Sequence, residues 1–374
     1  MISILSLQNI REKTFVMKLF NRYILLRYIK FLVIVFFALE LFYVGLDLLS
    51  NYKDLPNSAN LQILYIFYKF IEASGLTLPI SLIFAMVFTK LSLIRSSELV
   101  AMFALGISRN KAIKPIFLFS ILMIFAHLSI GFTNLVYSGQ YAKNILKYSK
   151  ATTNTKDIFI KHFDSYIYIQ KLSIYDKKAY NVIIYELQDS DLSKIVKANS
   201  AVFKDSYWLL EDVEVMYKKS KMSINKKAII IKNLPTFKTL HNFDPKIIDN
   251  IFSNSDTTSI VEAVKIIKIF SEQNFDNSRL KTILYSSVIF PFFACFLLLI
   301  FFYYIPISGR FFNTSLLSFL LISVSLVVWA ILFILIEMAS NSVVNPEIAI
   351  VLPILFLGLY AFKLYSINKR SAKL

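Results

Sequence analysis

The sequence predicts a membrane α-helical protein in which six transmembrane helices flank an inserted β domain, three before it and three after. Three observations carry this. Of the 374 residues, 56% are apolar, 35 of them phenylalanine, against roughly 45–50% in a soluble domain. The excess sits at the two ends of the chain, in runs of about 20 residues, which at about 1.5 Å each cross a bilayer core of roughly 30 Å. Between residues 138 and 278 the runs shorten, acidic residues collect and apolar positions alternate with a period of two, the pattern of half-buried strands.

Residues 31–50 form the first span, after Arg22, Arg27 and Lys30. The preceding segment lacks a small-residue cleavage site, so it does not read as a cleaved signal. Met17-Lys18 is the expected start, with residues 1–16 an upstream extension. A polar turn, 51–61, leads to a long apolar stretch, 62–94, in which Lys69 and Glu72 fall early and Gly75 and Pro79 interrupt. The expectation is a part-interfacial helix over 62–74 and a second span over 75–94, kinked near Pro79. Residues 95–111 are short and amphipathic, and 112–137 form the third span.

Strands are expected in SYIYIQKLSIY (165–175), YNVIIYEL (180–187), YWLLEDVEVMY (207–217) and KKAIIIKNL (226–234). A helix follows over 256–273, capped by Asp256 or Thr257. The fourth span, 280–305, contains Pro291, a loop with Arg310 follows, and the fifth and sixth spans are 314–338 and 348–366. The organisation is therefore an N-terminal bundle (1–137), a β domain (138–255), a connecting helix (256–278) and a C-terminal bundle (279–374).

The net charge is +17, from 41 Lys+Arg against 24 Asp+Glu. In a soluble chain this balance points to nucleic acid. Here the basic residues stand beside apolar spans and set topology, so no nucleic acid partner is expected. The 95–114 loop holds Arg95, Arg109, Lys111 and Lys114, and Lys369, Arg370 and Lys373 follow the last span, whereas 339–347 holds no basic residue. Both termini are therefore expected in the cytoplasm and the β domain outside, since long domains translocate largely regardless of charge.

Several chemistries are excluded. The one cysteine, Cys295, leaves no internal disulfide, and His127, His162 and His241 lack ligand spacing. No Gly-x-x-x-x-Gly-Lys-Ser/Thr occurs, so ATP and its Mg, if used, belong to another chain, and no cofactor is expected in this one. No nucleophile–base set or carboxylate pair stands out, and Trp208 reads as core.

Two candidate sites remain. In the 96–108 segment, Leu99, Met102, Phe103 and Gly106 recur at helical spacing, Ser96 or Ser97 can cap, and Glu98 in the first turn suits the helix dipole. Such a helix either docks on a separate ATPase or lies on the membrane surface as a connector; periodicity alone leaves both open. The second candidate is Glu40 with Asp47, seven apart and hence two turns apart on one face. A carboxylate near the bilayer centre costs at least ~2.5 kcal/mol, so it needs a partner or water. Asp47 can reach the interface, as can Glu337 at a similar depth in the fifth span. Glu40 calls for a polar cavity or a basic partner.

At this point the chain resembles the LptF/LptG family of lipopolysaccharide export permeases. Asn21-Arg22-Tyr23-Ile24 is similar to the family's entry to its first helix. Arg95-Ser96-Ser97-Glu98-Leu99-Val100, with Gly106-Ile107-Ser108, is similar to its coupling helix. Tyr166-Ile167-Tyr168-Ile169 and Tyr207-Trp208-Leu209-Leu210 suit its β strands. Pro291-Phe292-Phe293-Ala294, Gly309-Arg310, Pro346 and Pro353 suit its last three spans. The resemblance implies a periplasmic β-jellyroll domain in a bacterial inner-membrane protein. It implies as partners a second LptF/LptG-type permease, an LptB-like ATPase dimer, LptC-like and LptA-like β-jellyroll proteins, and lipopolysaccharide with membrane lipid around it. It implies a coupling helix over 95–108 that contacts the ATPase through Ser97, Glu98, Leu99, Met102, Phe103 and Gly106. It also implies a lipid cavity walled by the first and fifth helices, into which Glu40, Asp47 and Glu337 would fall. One departure stands out: the family often has basic residues in the outer half of the first helix, where this chain has acids and only Lys53 after them. Asp244-Pro245 and the short C-tail lean toward LptG. A reading of a different class is a membrane-anchored sensor whose β domain binds a partner without moving lipid. Photocrosslinkers at Phe37 and Val44 in the first span would separate the two.

Overall fold

The computed structural model describes residues 2–148, 155–162, 165–173, 177–188, 191–204, 207–218, 229–240, 259–272, 277–309 and 312–370. They fall into two compact units, one of Met1–Ala142, Ser259–Ile267 and Asp276–Leu374, the other of Lys143–Thr258 and Lys268–Phe275.

The first unit is helical. Its elements are α1 (Ile2–Ser50), α2 (Ala59–Arg95), α3 (Glu98–Ala104), α4 (Arg109–Ile130), the first residues of α5 (Ser138–Tyr148), the start of α6 (Ile260–Glu272), α7 (Ser278–Val288), α8 (Phe292–Tyr304), α9 (Thr314–Ser340), a π-helical turn (Glu347–Val351) and α10 (Leu352–Arg370). Among the described residues, five stretches are long and apolar enough to span a membrane: Leu19–Ser50, α2, α4, α9 and Glu347–Lys369. The pair α7 and α8, bent by 46°, is long and apolar enough only when taken together, and counted as one broken span it makes the sixth. The bend falls at Ile289–Pro291, where Pro291 has no N–H to continue the ladder.

Two expectations are corrected. The 62–94 stretch is not an interfacial helix plus a span; α2 is one helix of 37 residues running through Pro79. Pro79 is buried within the bundle, where neighbouring helices tolerate it, and the Thr77 and Ser81 hydroxyls bond back to Ala73 O and Thr77 O. The third span stops at Ile130 rather than 137. Its end, Gly131, receives α6: the Ile260 N–H and the Ser259 hydroxyl both donate to Gly131 O at 3.2 Å. A Cβ at Gly131 would stand 2.7 Å from Ile260 Cδ1, so a larger residue here would make the Ile260 side chain shift.

The two sets of three spans share one core. Leu82, Ile83 and Met86 of α2 pack in it with Tyr28 of α1 and Phe293 and Leu298 of α8. The Tyr28 hydroxyl donates to Leu82 O at 3.1 Å and shares a 2.8 Å hydrogen bond with Ser120, tying α1, α2 and α4 together. Burial is uneven: 83% of the apolar stretch of α2 is covered, 28% of that of α4 and of the last span, and 17% of that of α1 and of α9.

The second unit holds one antiparallel meander in chain order, β1 (Thr155–His162), β2 (Ser165–Ser173), β3 (Lys178–Gln188), β4 (Asp191–Lys204), β5 (Tyr207–Lys218) and β6 (Ile229–Thr239). Alternation foresaw β2, β3, β5 and most of β6, but not β1 or β4. The expected helix caps Asp256 and Thr257, together with His241, Asp244-Pro245 and Arg310, lie outside the described residues.

A row of missing rungs crosses this sheet. In each of its five ladders one pair is unmade while the pairs on both sides are made: Asp157 with Gln170, Gln170 with Asn181, Asn181 with Asn199, Asn199 with Asp212, and Asp212 with Pro235. Asn181 and Asp212 are left-handed, at φ 49° and 55°, a conformation their short polar side chains tolerate. Side chains bridge the gap instead: the Asn181 amide donates to Gln170, and the Asn199 amide to Asp212. At this crease two successive residues face out on β2, β3, β4 and β5, so the buried positions change parity, from Ile169 to Leu172 and from Leu210 to Val213. The apolar face stays continuous on both sides of it.

Candidate functional site

Two places in the helical unit concentrate charge and chemistry: the connector between the second and third spans, and a polar seam between α1 and α2.

The connector begins where α2 ends at Arg95. Ser97 turns the chain with a left-handed φ of 57°, and its side chain makes no cap hydrogen bond; Ser96 Oγ donates back to Ser92 O. The expected serine cap is therefore replaced by a backbone turn. α3 runs only from Glu98 to Ala104. Gly106, at φ +82°, closes it, with Gly106 N–H donating to Phe103 O and Ile107 N–H to Met102 O. Ser108 then caps α4 by accepting from Lys111 N–H.

Glu98 is held within the chain. Its Oε2 lies 2.6 Å from Arg27 Nη1 and accepts from the Tyr23 hydroxyl at 2.7 Å, both on α1. Partial burial pushes its carboxyl up, but the hydrogen bonds from Tyr23, Ser96 and Arg27 and the Arg27 charge outweigh that and hold it below the usual carboxylate range. It stays ionised at neutral pH. Leu99 points inward and is fully buried, with Met102 and Phe103 half-buried against the same core. The expectation that Leu99 faces a partner is corrected: the outward face is Val100, Ala101, Ala104 and Leu105, the last 81% exposed, with Gly106 beside it. The apolar period had located the helix but marked the face that packs on its own bundle.

The seam lies in the α1–α2 hairpin. Lys69 Nζ stands 3.0 Å from Asp47 Oδ1 and 2.9 Å from Glu72 Oε2, and the Tyr65 hydroxyl donates to Asp47. The Lys69 side chain is 9% exposed and that of Asp47 18%. Glu40 is fully buried; Thr77 Oγ1 donates to its Oε1 at 2.5 Å, and among the described residues its Oε2 has no hydrogen-bond partner. A Cβ at Gly139 would stand 2.6 Å from Glu72 Oε1, so a glycine at the start of α5 leaves room for that carboxylate. Asp47 thus meets its insertion cost with a lysine, and Glu40 meets part of its own with a hydroxyl. Both acids turn toward α2, not toward the uncovered face of α1. Glu337 is exposed at the end of α9 and is joined to neither by a hydrogen bond or ion pair. Lys69 and Glu72 had been read as markers of an interfacial helix; their i, i+3 spacing across a short hairpin from Asp47 was the signal of a shared pair. Among the described residues no group of three His, Cys, Asp or Glu could hold a metal ion.

This seam, the connector and the sheet all lie within a stretch that can be compared with known families. No curated protein matches the chain. A family model for the lipopolysaccharide export system permeases LptF/LptG matches residues 22–366, from the first turn of the Leu19–Ser50 span into α10. The model describes LptF and LptG together, so it does not divide them. With all six spans, the connector and the inserted β unit inside the match, the chain belongs to the LptF/LptG family of lipopolysaccharide export permeases, multi-pass inner-membrane transport proteins and not enzymes.

Proposed function

We propose that this chain is one of two permease subunits that draw lipopolysaccharide out of the inner membrane and pass it, through its own periplasmic β domain, to LptC-like and LptA-like proteins on the way to the outer membrane. ATP and Mg are bound by an LptB-like ATPase dimer, which holds the connector on the cytoplasmic side, where both termini also lie.

The observation that carries this reading is the uneven burial of the spans. α1 and α9, the first and fifth spans, are the least covered. Their open faces are apolar: Phe37, Leu41 and Phe42 on α1, Phe319, Leu320 and Val327 on α9. An acyl chain meets no charge there, because Glu40 and Asp47 turn into the α1–α2 hairpin. The acidic first helix, the departure from the family, therefore does not oppose an anionic lipid across the open face. The outward apolar face of the connector is a surface that docking on a separate motor would cover.

Affinity purification of the chain in mild detergent tests the assembly. It should bring down a nucleotide-binding subunit and a second permease of the same family. Recovery of the chain alone, or with only a non-nucleotide-binding partner, would favour the sensor reading.

A further inference from the structure

We propose that Lys90 and Arg95 are positioning residues that carry motion of the connector from α2 to the last three spans, so that both sets of spans respond to one stroke of the ATPase. This rests on the permease reading above and adds a route to it.

Lys90 sits on α2 about one and a half turns before its end and is 3% exposed. Among the described residues no carboxylate lies within ion-pairing distance of it. Its ammonium donates instead to the carbonyl oxygens of Phe302 and, at 2.6 Å, Ile305, and lies 4.4 Å over the Phe302 ring. These carbonyls close the C-terminal end of α8, the negative end of its dipole. A buried ammonium held only by carbonyls is a costly group. Its cost is met only while the end of α8 stays against α2, which makes the contact a fastener rather than filler.

Arg95 repeats the arrangement at the end of α2. Its Nε donates to Thr314 Oγ1 at 3.0 Å and its Nη2 to Ser315 Oγ at 3.4 Å, in the first turn of α9. Between these two fasteners Gly309 closes on Ile94, where a Cβ would stand 3.3 Å from Ile94 Cγ2. Three residues beyond Arg95, Glu98 grips Arg27 and Tyr23 of α1. A push on α3 thus reaches α1 through Glu98, and reaches α8 and α9 through the end of α2. α9 is, with α1, one of the two least covered spans, so the route ends where the lipid would be moved.

The test uses the whole complex, with ATPase and second permease, in proteoliposomes containing labelled lipopolysaccharide. ATP hydrolysis and lipopolysaccharide delivered to a soluble β-jellyroll acceptor are measured together. Lys90→Met and Arg95→Gln should assemble and hydrolyse ATP at close to the wild-type rate, while lipopolysaccharide moved per ATP falls at least ~5-fold, the low end of ordinary coupling energies. Arg95→Lys should restore part of the ratio. An unchanged ratio, or hydrolysis and transport falling in equal proportion, would overturn the proposal, because a merely structural residue moves both together. If Lys90→Met does not assemble, the exposed Arg95→Gln decides alone. A wild-type complex that hydrolyses ATP but moves no lipid would instead remove the permease reading itself.

Discussion

Methionine in place of Lys69 is expected to destabilise the protein by about 3–5 kcal/mol, the usual cost of removing one partner from a buried ion pair. Lys69 is the shared cation of Asp47 and Glu72 and is almost fully enclosed. Its loss leaves two carboxylates facing each other in a hairpin that also buries Glu40. The physical cause is desolvation without compensation, so the remedy is equally specific. Asp47→Asn together with Lys69→Met should cost less than Lys69→Met alone, because one of the stranded charges is gone. Thermal unfolding of the detergent-solubilised protein measures this. A single variant within about 1 kcal/mol of wild type, or a double variant less stable than the single, would mean that the seam is not the ion pair the distances indicate.

The second large effect is expected at the connector. Aspartate at Ala101 or Leu105 should weaken binding of the ATPase at least about 100-fold, roughly 3 kcal/mol, with a loss of stability in the permease below about 1 kcal/mol. Both side chains are on the exposed face of the connector, so a charge there costs little in the free protein. In a docked interface it would be desolvated without a partner. Glu98→Lys, the natural first choice from sequence, is a poorer probe. It sets a second cation against Arg27 and would displace the connector from α1 before any partner is considered. Leu99 is poorer still, because it is core. Titration of the ATPase against solubilised permease reads the effect; undiminished affinity for both aspartate variants would show that this face does not meet the motor.

The architecture was legible because its signals are local. A run of about 20 apolar residues needs no partner to be recognised, and a period of two needs only its own strand. The connector was legible as a helix for the same reason. What was not legible depends on neighbours. Leu99 and Leu105 are equally apolar, and only packing into the core of the bundle decides that one is buried and the other open. Pro79 looked like a break because proline usually is one, yet α2 continues through it as one helix, with Pro79 buried in the bundle. Lys69 looked like an interfacial residue until the hairpin brought Asp47 to it. β4 was hidden because its alternation changes parity at Asn199-Ser200, where the crease turns two successive residues outward. The same shift is written in Gln170-Lys171 and Glu211-Asp212, as a polar pair interrupting an otherwise regular strand.

The central claim is that the uncovered faces of the first and fifth spans carry the lipid. Val44, one of the two positions the sequence suggested for a probe, is buried, while Phe37 is exposed, as is Phe319 on α9. The decisive measurement places a photocrosslinking residue at Phe37, at Phe319 and, as a control, at Leu118, which is equally exposed on α4. The assembled complex is then illuminated in lipopolysaccharide-containing membranes with and without ATP. The account predicts capture of lipopolysaccharide at Phe37 and Phe319 that changes with ATP, and none above background at Leu118. Equal, ATP-independent capture at all three positions would mean that these faces meet only bulk lipid, and would contradict it.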